Sequence, residues 1–246
     1  MVHPVEQVHW DGTHAMVEGS THGSAHGIQL RCGEHRGRLL CPSRTAIGQY
    51  NAWDGLRKCV YNNAIYSDDH GKTWQASNCV QLASGEGTLI ERPDGSILYN
   101  SRAYYQDQKR YLATSTDGGA SYHDFCTDDF LLEEKRIGCN ASLLRVPRED
   151  LRDASLLPPE ADGVTIFCNP RAETRRNMTA CISFDSGQTW REGKTFYAGS
   201  AAYSSLDFDP VSQHFFLAYE KGREGDKSPY SAGISMAEFD LAWLLA

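Results

Sequence analysis

The chain of 246 residues has no Cys-x-x-Cys pair among its eight cysteines, and none of its nine histidines follows them at a zinc spacing. A structural zinc site is therefore not written in it. The segment HGSAH at His22 to His26 has a spacing that could hold a metal, yet in so polar a stretch it reads as a solvated loop. No apolar run approaches the ~18 residues of a membrane span. The opening MVHPVEQVHWDG lacks the basic start and apolar centre of a signal peptide, so the chain reads as soluble. Positive charge is in deficit, with 24 Lys and Arg against 32 Asp and Glu and a net charge of −8. Counterion release needs a basic surface, which argues against nucleic acid as a partner. A local basic pocket for a small anion is still allowed. There are only 9 prolines and no low-complexity tract, but 22 glycines in a chain that is 40% apolar and 11% aromatic. That balance excludes collagen and disorder and suits one large, turn-rich, all-β domain. None of these features encodes a compartment.

Most of the cysteines fall in apolar runs, such as Cys41 in RLLCP and Cys168 in VTIFCNP. Buried, reduced thiols are the expectation. Disulfides are the alternative, and their pairing cannot be deduced. Asn140-Ala-Ser and Asn177-Met-Thr fit the glycosylation pattern, which is frequent by chance.

A repeat sets the architecture. Ser67 to Trp74 reads SDDHGKTW, Ser115 to Tyr122 reads STDGGASY, and Ser183 to Trp190 reads SFDSGQTW. The shared pattern is Ser-x-Asp-x-Gly-x-x-aromatic. Aspartate accepts hydrogen bonds from nearby amides, glycine supplies a positive φ, and the aromatic is expected to tuck under the turn. Each copy follows an alternating apolar run, so each is expected to close a strand pair. The copies begin 48 and 68 residues apart, which suits one four-stranded blade per copy with an insertion before the third. The polar segment from Glu133 to Ala161 contains that insertion, with a helical turn expected near Asp150 to Leu157.

Four further segments carry candidate chemistry. LASGEGTLIERPDGSILYNSR, Leu82 to Arg102, places Glu86 and Arg102 at opposite ends of a hairpin turned at Pro93-Asp94-Gly95. NPRAETRRNMT carries Arg175 and Arg176, AAYSSLDFD carries Tyr203, and FLAYEKGR carries Glu220. Taken singly, each has a plain structural reading: a strand arginine is a surface charge and a strand tyrosine a core aromatic with a wet hydroxyl. In this order, together with the repeat, they resemble the exo-α-sialidase (neuraminidase) family, its animal lysosomal-type members above all, from about Gly27 onward.

The resemblance implies a fold and a reaction. The fold would be a six-bladed β-propeller, incomplete here, with about four blades forming a single domain over 1–246 that lacks the N-terminal blades. Tyr203 would be the nucleophile and Glu86 its base, while Arg102 and Arg175 bind the carboxylate of sialic acid. Arg176 would face the other side of its strand. Glu220 would support the site, its usual arginine partner being expected absent along with the acid/base aspartate. Asp11 does not align with the latter's loop, and Arg38 reads as structural. A neutral phenol suits this substrate because the anomeric carbon bears a carboxylate that would repel an anionic nucleophile. Neither a cofactor nor a metal is implied. The substrate would be a sialylated glycoprotein, glycolipid or oligosaccharide, and open propeller edges would invite a partner or a second copy. The alternatives are an inactive sialoglycan-binding remnant or scaffold, and an unrelated propeller built on the same turn.

Overall fold

The computed structural model describes residues 6–8, 14–22, 25–47, 60–104 and 108–246. Asp11, Cys59 and the middle of HGSAH lie outside the described residues. The chain divides into two units, 1–128 and 129–246. No described helix is long and apolar enough to cross a membrane.

In the first unit, strands β1 (Glu6–Val8), β2 (His14–His22), β4 (Leu39–Ile47), β5 (Val60–Ser67) and β6 (Gln75–Ala76) pair in that order. The short strands β3 (Ile28–Gln29) and β7 (Gln81–Leu82) join β4 and β5. A separate sheet orders β8 (Ser84–Glu91), β9 (Ile97–Ala103), β10 (Arg110–Ser115) and β11 (His123–Asp128) as an antiparallel meander. The β8–β9 turn is the one its residues predict: Gly95 has φ 82° and its amide donates to Arg92 O, while Asp94 accepts from the Ser96 amide. Side chains tie the two sheets together, with Asn62 Nδ2 donating to Ser101 Oγ at 2.6 Å and Tyr99 Oη to Asn63 O at 2.9 Å. Leu40, Ala64, Leu89, Ile97, Tyr99 and Tyr122 make the core.

The second unit is one run of antiparallel neighbours: β12 (Ser142–Pro147), β13 (Gly163–Pro170), β14 (Arg176–Ser183), β15 (Arg191–Asp209), β16 (His214–Lys221) and β17 (Gly233–Phe239). β15 serves two partners. Residues 191–200 pair with β14 and residues 201–209 with β16. The insertion between β12 and β13 holds single turns at Arg148–Asp150 and Ala154–Leu156, near the expected place. A short terminal helix, α1 (Leu241–Leu245), is capped by Asp240, whose carboxylate accepts the Trp243 amide. Ile166, Met178, Leu206, Phe215, Leu217 and Phe239 form this unit's core.

Strand alternation holds only in part. β9 and β13 are buried at every position, and β14 over its last six residues. Such inner strands pack on both faces, so their sequences need not alternate.

All three repeat copies form the same turn, after β5, β10 and β14. Each serine accepts the glycine amide four residues on, at 2.8 Å for Gly71, 2.9 Å for Gly119 and 2.8 Å for Gly187. Asp69, Asp117 and Asp185 each accept an amide and a hydroxyl from Thr73, Ser121 and Thr189. The glycines sit at φ 84°, 88° and 85°, where a Cβ would be strained. The aromatics differ. Tyr122 is 4% exposed and Trp190 half-buried, but Trp74 is 42% exposed and donates its indole N–H to Gly71 O, so the expected tuck fails in the first copy. Arg38 is structural, as expected: it forks onto Asp68 at 2.8 and 2.9 Å and donates to the carbonyls of Asp117 and Gly118.

The described cysteines are all free thiols, and Cys139, Cys168 and Cys181 are buried. Cys126 is exposed on β11, contrary to expectation, because β11 is an outer strand of its sheet. Asn140 is 1% exposed and its Oδ1 accepts the Ser204 amide, so this asparagine is no glycan acceptor in the folded chain.

Candidate active site

The two ends of the hairpin that runs from Leu82 to Arg102 meet. β8 loses register with β9 between Ser84 and Gly87, and the irregularity turns Glu86 toward Arg102. Arg102 Nη1 lies 2.7 Å from Glu86 Oε2, with both side chains buried. Gly85 leaves the room: a Cβ there would stand 2.8 Å from Arg102 Cδ and 2.9 Å from Tyr104 Oη. Arg44, on β4, brings Nη1 to 3.6 Å from the other carboxylate oxygen of Glu86 and to 3.4 Å from Tyr104 Oη. The ring of Tyr104 also lies 5.0 Å from Arg102 Cζ. A buried carboxylate is thus matched by two guanidinium groups from different strands, which compensates its desolvation.

The second unit carries the other candidates. β15 changes partner between Ser200 and Ala201, and its register with β16 shifts between Ala201 and Ser204. At that point side chains take successive backbone amides, Tyr203 N donating to Glu220 Oε2 and Ser204 N to Asn140 Oδ1, both at 3.0 Å. The bend presents the half-buried side chain of Tyr203. Arg175, just before β14, sets its Cζ 5.6 Å from the Tyr203 ring centroid. It donates through Nη1 to Tyr230 Oη at 2.5 Å and through Nη2 to Gly138 O at 3.4 Å. Arg176 goes elsewhere, donating to Ala198 O from an exposed position, as strand alternation predicts.

Of the predicted residues, the structure joins Glu86 to Arg102 in one unit, and Arg175 and Glu220 to Tyr203 in the other. Glu220, expected without its arginine and so unpaired, instead accepts the backbone amide of Tyr203. Arg44, Tyr104, Asn140 and Tyr230 escaped the sequence reading. Only Asn140 stands in a recognisable pattern, a glycosylation triplet of the kind frequent by chance, and that pattern says nothing of its contact with Ser204.

Comparison with known proteins places these observations. The BNR repeat-like domain family matches residues 6–227. A sialidase of Micromonospora viridifaciens is 37% identical over 222 residues, covering 90% of this chain and 30% of that protein. Sialidase-4 of Homo sapiens is 35% identical over 132 residues, covering 51% of this chain and 26% of that protein. Among solved structures, the intramolecular trans-sialidase from Ruminococcus gnavus, in complex with oseltamivir carboxylate, matches with a TM-score of 0.69 at 19% identity. That match covers 94% of this chain and 46% of the other, and at such identity it speaks to the fold, which is of the sialidase β-propeller class. The chain spans less than a third of the length of these two curated relatives.

Proposed function

The chain belongs to the BNR repeat-like domain family and to the sialidases, and from that premise we propose that it releases terminal sialic acid from a glycoprotein, glycolipid or oligosaccharide, with retention through a tyrosyl intermediate. The observation that carries the reading is Tyr203: a phenol presented at a strand bend, its backbone fixed by Glu220, with a guanidinium against its ring.

The chemistry follows from the charges. The substrate's carboxylate sits on the reacting carbon and is held by Arg102 and Arg175 through charge-assisted bonds. A phenol titrates near ~10, so it needs its proton removed as it attacks. In the first step Tyr203 Oη bonds to the anomeric carbon, the glycosidic bond breaks, and the phenolic proton passes to Glu86. In the second, water adds to that carbon as its bond to Tyr203 Oη breaks; Glu86 returns its proton to the tyrosine oxygen, takes one from the water, and then loses it through solvent to the released aryl oxide. None of these side chains is assigned to protonate the leaving oxygen. An aryl sialoside, whose leaving phenolate needs little protonation, is therefore the appropriate probe. That the residues of both units serve one substrate within a single domain is part of this proposal.

A second reading, sialoglycan binding without turnover, is favoured by one observation: both carboxylate oxygens of Glu86 already face guanidinium groups, at 2.7 and 3.6 Å, so they are engaged before a substrate arrives. A fluorogenic aryl sialoside separates the two. Turnover by the wild type and a loss of about 10³-fold or more in Tyr203→Phe support the first. Binding of sialyllactose with no turnover selects the second, and equal turnover by both proteins removes Tyr203 from the reaction.

A further inference from the structure

The segment between β16 and β17, GREGDKSPYSA over 222–232, is exposed but well tied. It is closed at its base by Gly222 N to Ser200 O at 2.8 Å and Ala232 N to Lys221 O at 3.0 Å. Inside it, Arg223 N donates to Ser231 Oγ at 2.9 Å. β15 fastens it from below, with Ser200 Oγ donating to Asp226 O and Tyr197 Oη to Gly222 O. None of these anchors involves the side chain of Tyr230. Its ring is 54% exposed, so core packing does not explain a tyrosine there. What its side chain does is meet Arg175, Oη to Nη1, at 2.5 Å.

We propose that Tyr230 is a positioning residue for the carboxylate-binding guanidinium of Arg175 and thereby sets affinity for the acidic sugar. The inference rests on the sialidase reading. An arginine side chain has many rotamers, and a fixed hydrogen bond removes that freedom in advance of binding. Tyr230 Oη fixes one terminal nitrogen and Gly138 O the other, which sets the guanidinium plane beside Tyr203. The choice of a phenol matters. A carboxylate at 230 would neutralise the guanidinium and compete with the substrate's own acid, whereas a phenol accepts the bond and leaves the positive charge available.

A group that orients a binding residue acts alike on the ground state and the transition state, so its loss raises KM and spares kcat. The test measures kcat and KM on a fluorogenic aryl sialoside for the full chain, Tyr230→Phe, Arg175→Lys and the double variant. Tyr230→Phe is expected to raise KM about tenfold, the worth of one charge-assisted hydrogen bond, with kcat within about twofold and an unchanged unfolding midpoint. In the Arg175→Lys background the same change is expected to add much less, because the two side chains act as a unit. A wild-type KM in Tyr230→Phe, a loss carried by kcat, or an equal increment in both backgrounds overturns the proposal while leaving the sialidase reading intact. A wild type that turns over nothing overturns both.

Discussion

Glu86 in the first unit and Tyr203 in the second both sit where a strand loses register with its neighbour, yet their surroundings differ. Glu86 is 6% exposed and lies between two guanidinium groups, so its charge is matched where it stands. Tyr203 is half-buried, and the groups that orient the guanidinium beside it include a phenol and a carbonyl, neither of which brings negative charge. The contrast follows from solvation. A carboxylate taken out of water needs opposite charge at contact distance. A guanidinium at a half-exposed site needs only direction, and neutral acceptors supply it without cancelling its charge. On the proposed reading both clusters serve the substrate, but the first also carries a share of its sheets' stability that the second does not.

The largest effect expected on this basis is that of Glu86→Gln. It removes the negative charge between Arg44 and Arg102, and breaking a buried pair in this way costs about 3 kcal/mol or more. It also removes the proposed base, worth about 10²–10⁴ in rate. Arg175→Ala is the matched control: a stability change below about 1 kcal/mol, because the site is half-exposed, with the loss falling on KM. Urea unfolding and steady-state kinetics on both variants decide it. Equal destabilisation by the two would break the contrast.

Acid should act on both units together, which sharpens the comparison from the other side. Hydrogen bonds from the Thr73 amide, the Thr73 hydroxyl and the Ser67 hydroxyl hold Asp69 down at about 2. For Asp117 and Asp185 burial pushes upward, but the hydroxyls and amides of Ser121 and Thr189 outweigh it, and both carboxyls stay below their ordinary value. A carboxyl depressed in the folded state stabilises the fold above its unfolded pKa of about 3.9 and loses that contribution as pH falls through the folded value. Stability is thus expected to fall as pH drops below about 4, down to about pH 2 for the Asp69 turn, with the Asp117 turn of the first unit and the Asp185 turn of the second weakening in the same direction. Hydrogen exchange resolved by segment checks this. Loss confined to one unit would show that the repeated turns are not equivalent.

How much of this could be read in advance depended on whether a residue's role was local. The three turns were legible because serine, aspartate and glycine satisfy one another within eight residues; Glu86 and Arg102 were placed on one hairpin, but their ion pair was not foreseen. The exposure of Trp74 was not legible: the motif fixes the turn, but what covers the aromatic comes from other strands. Arg44 was missed because it comes from β4, 42 residues before Glu86, and nothing in RLLCPSR marks a partner. Asn140 and Tyr230 were missed for the same reason, since their contacts lie 64 and 55 residues away. Glu220 was expected without a partner, because the Tyr203 amide it accepts is presented only where β15 bends.

Arg44 carries the smallest effect and the finest test of the contrast. It stands 3.6 Å from Glu86 Oε1, against 2.7 Å for Arg102 on the other oxygen, and its side chain is 33% exposed where that of Arg102 is 6% exposed. Coulomb attraction falls with distance, and water reaches Arg44, so its share of the compensation is the lesser one. Arg44→Gln is expected to cost about 0–1 kcal/mol, in the range of exposed ion pairs, and that cost should shrink further in high salt. Arg102→Gln should cost more and resist salt, because its pair is buried on both sides. Urea midpoints of the two variants at low and high ionic strength measure the difference. Equal, salt-insensitive losses would mean that Glu86 is held by both guanidinium groups alike, and that the first cluster is one closed unit rather than a buried pair with an open flank.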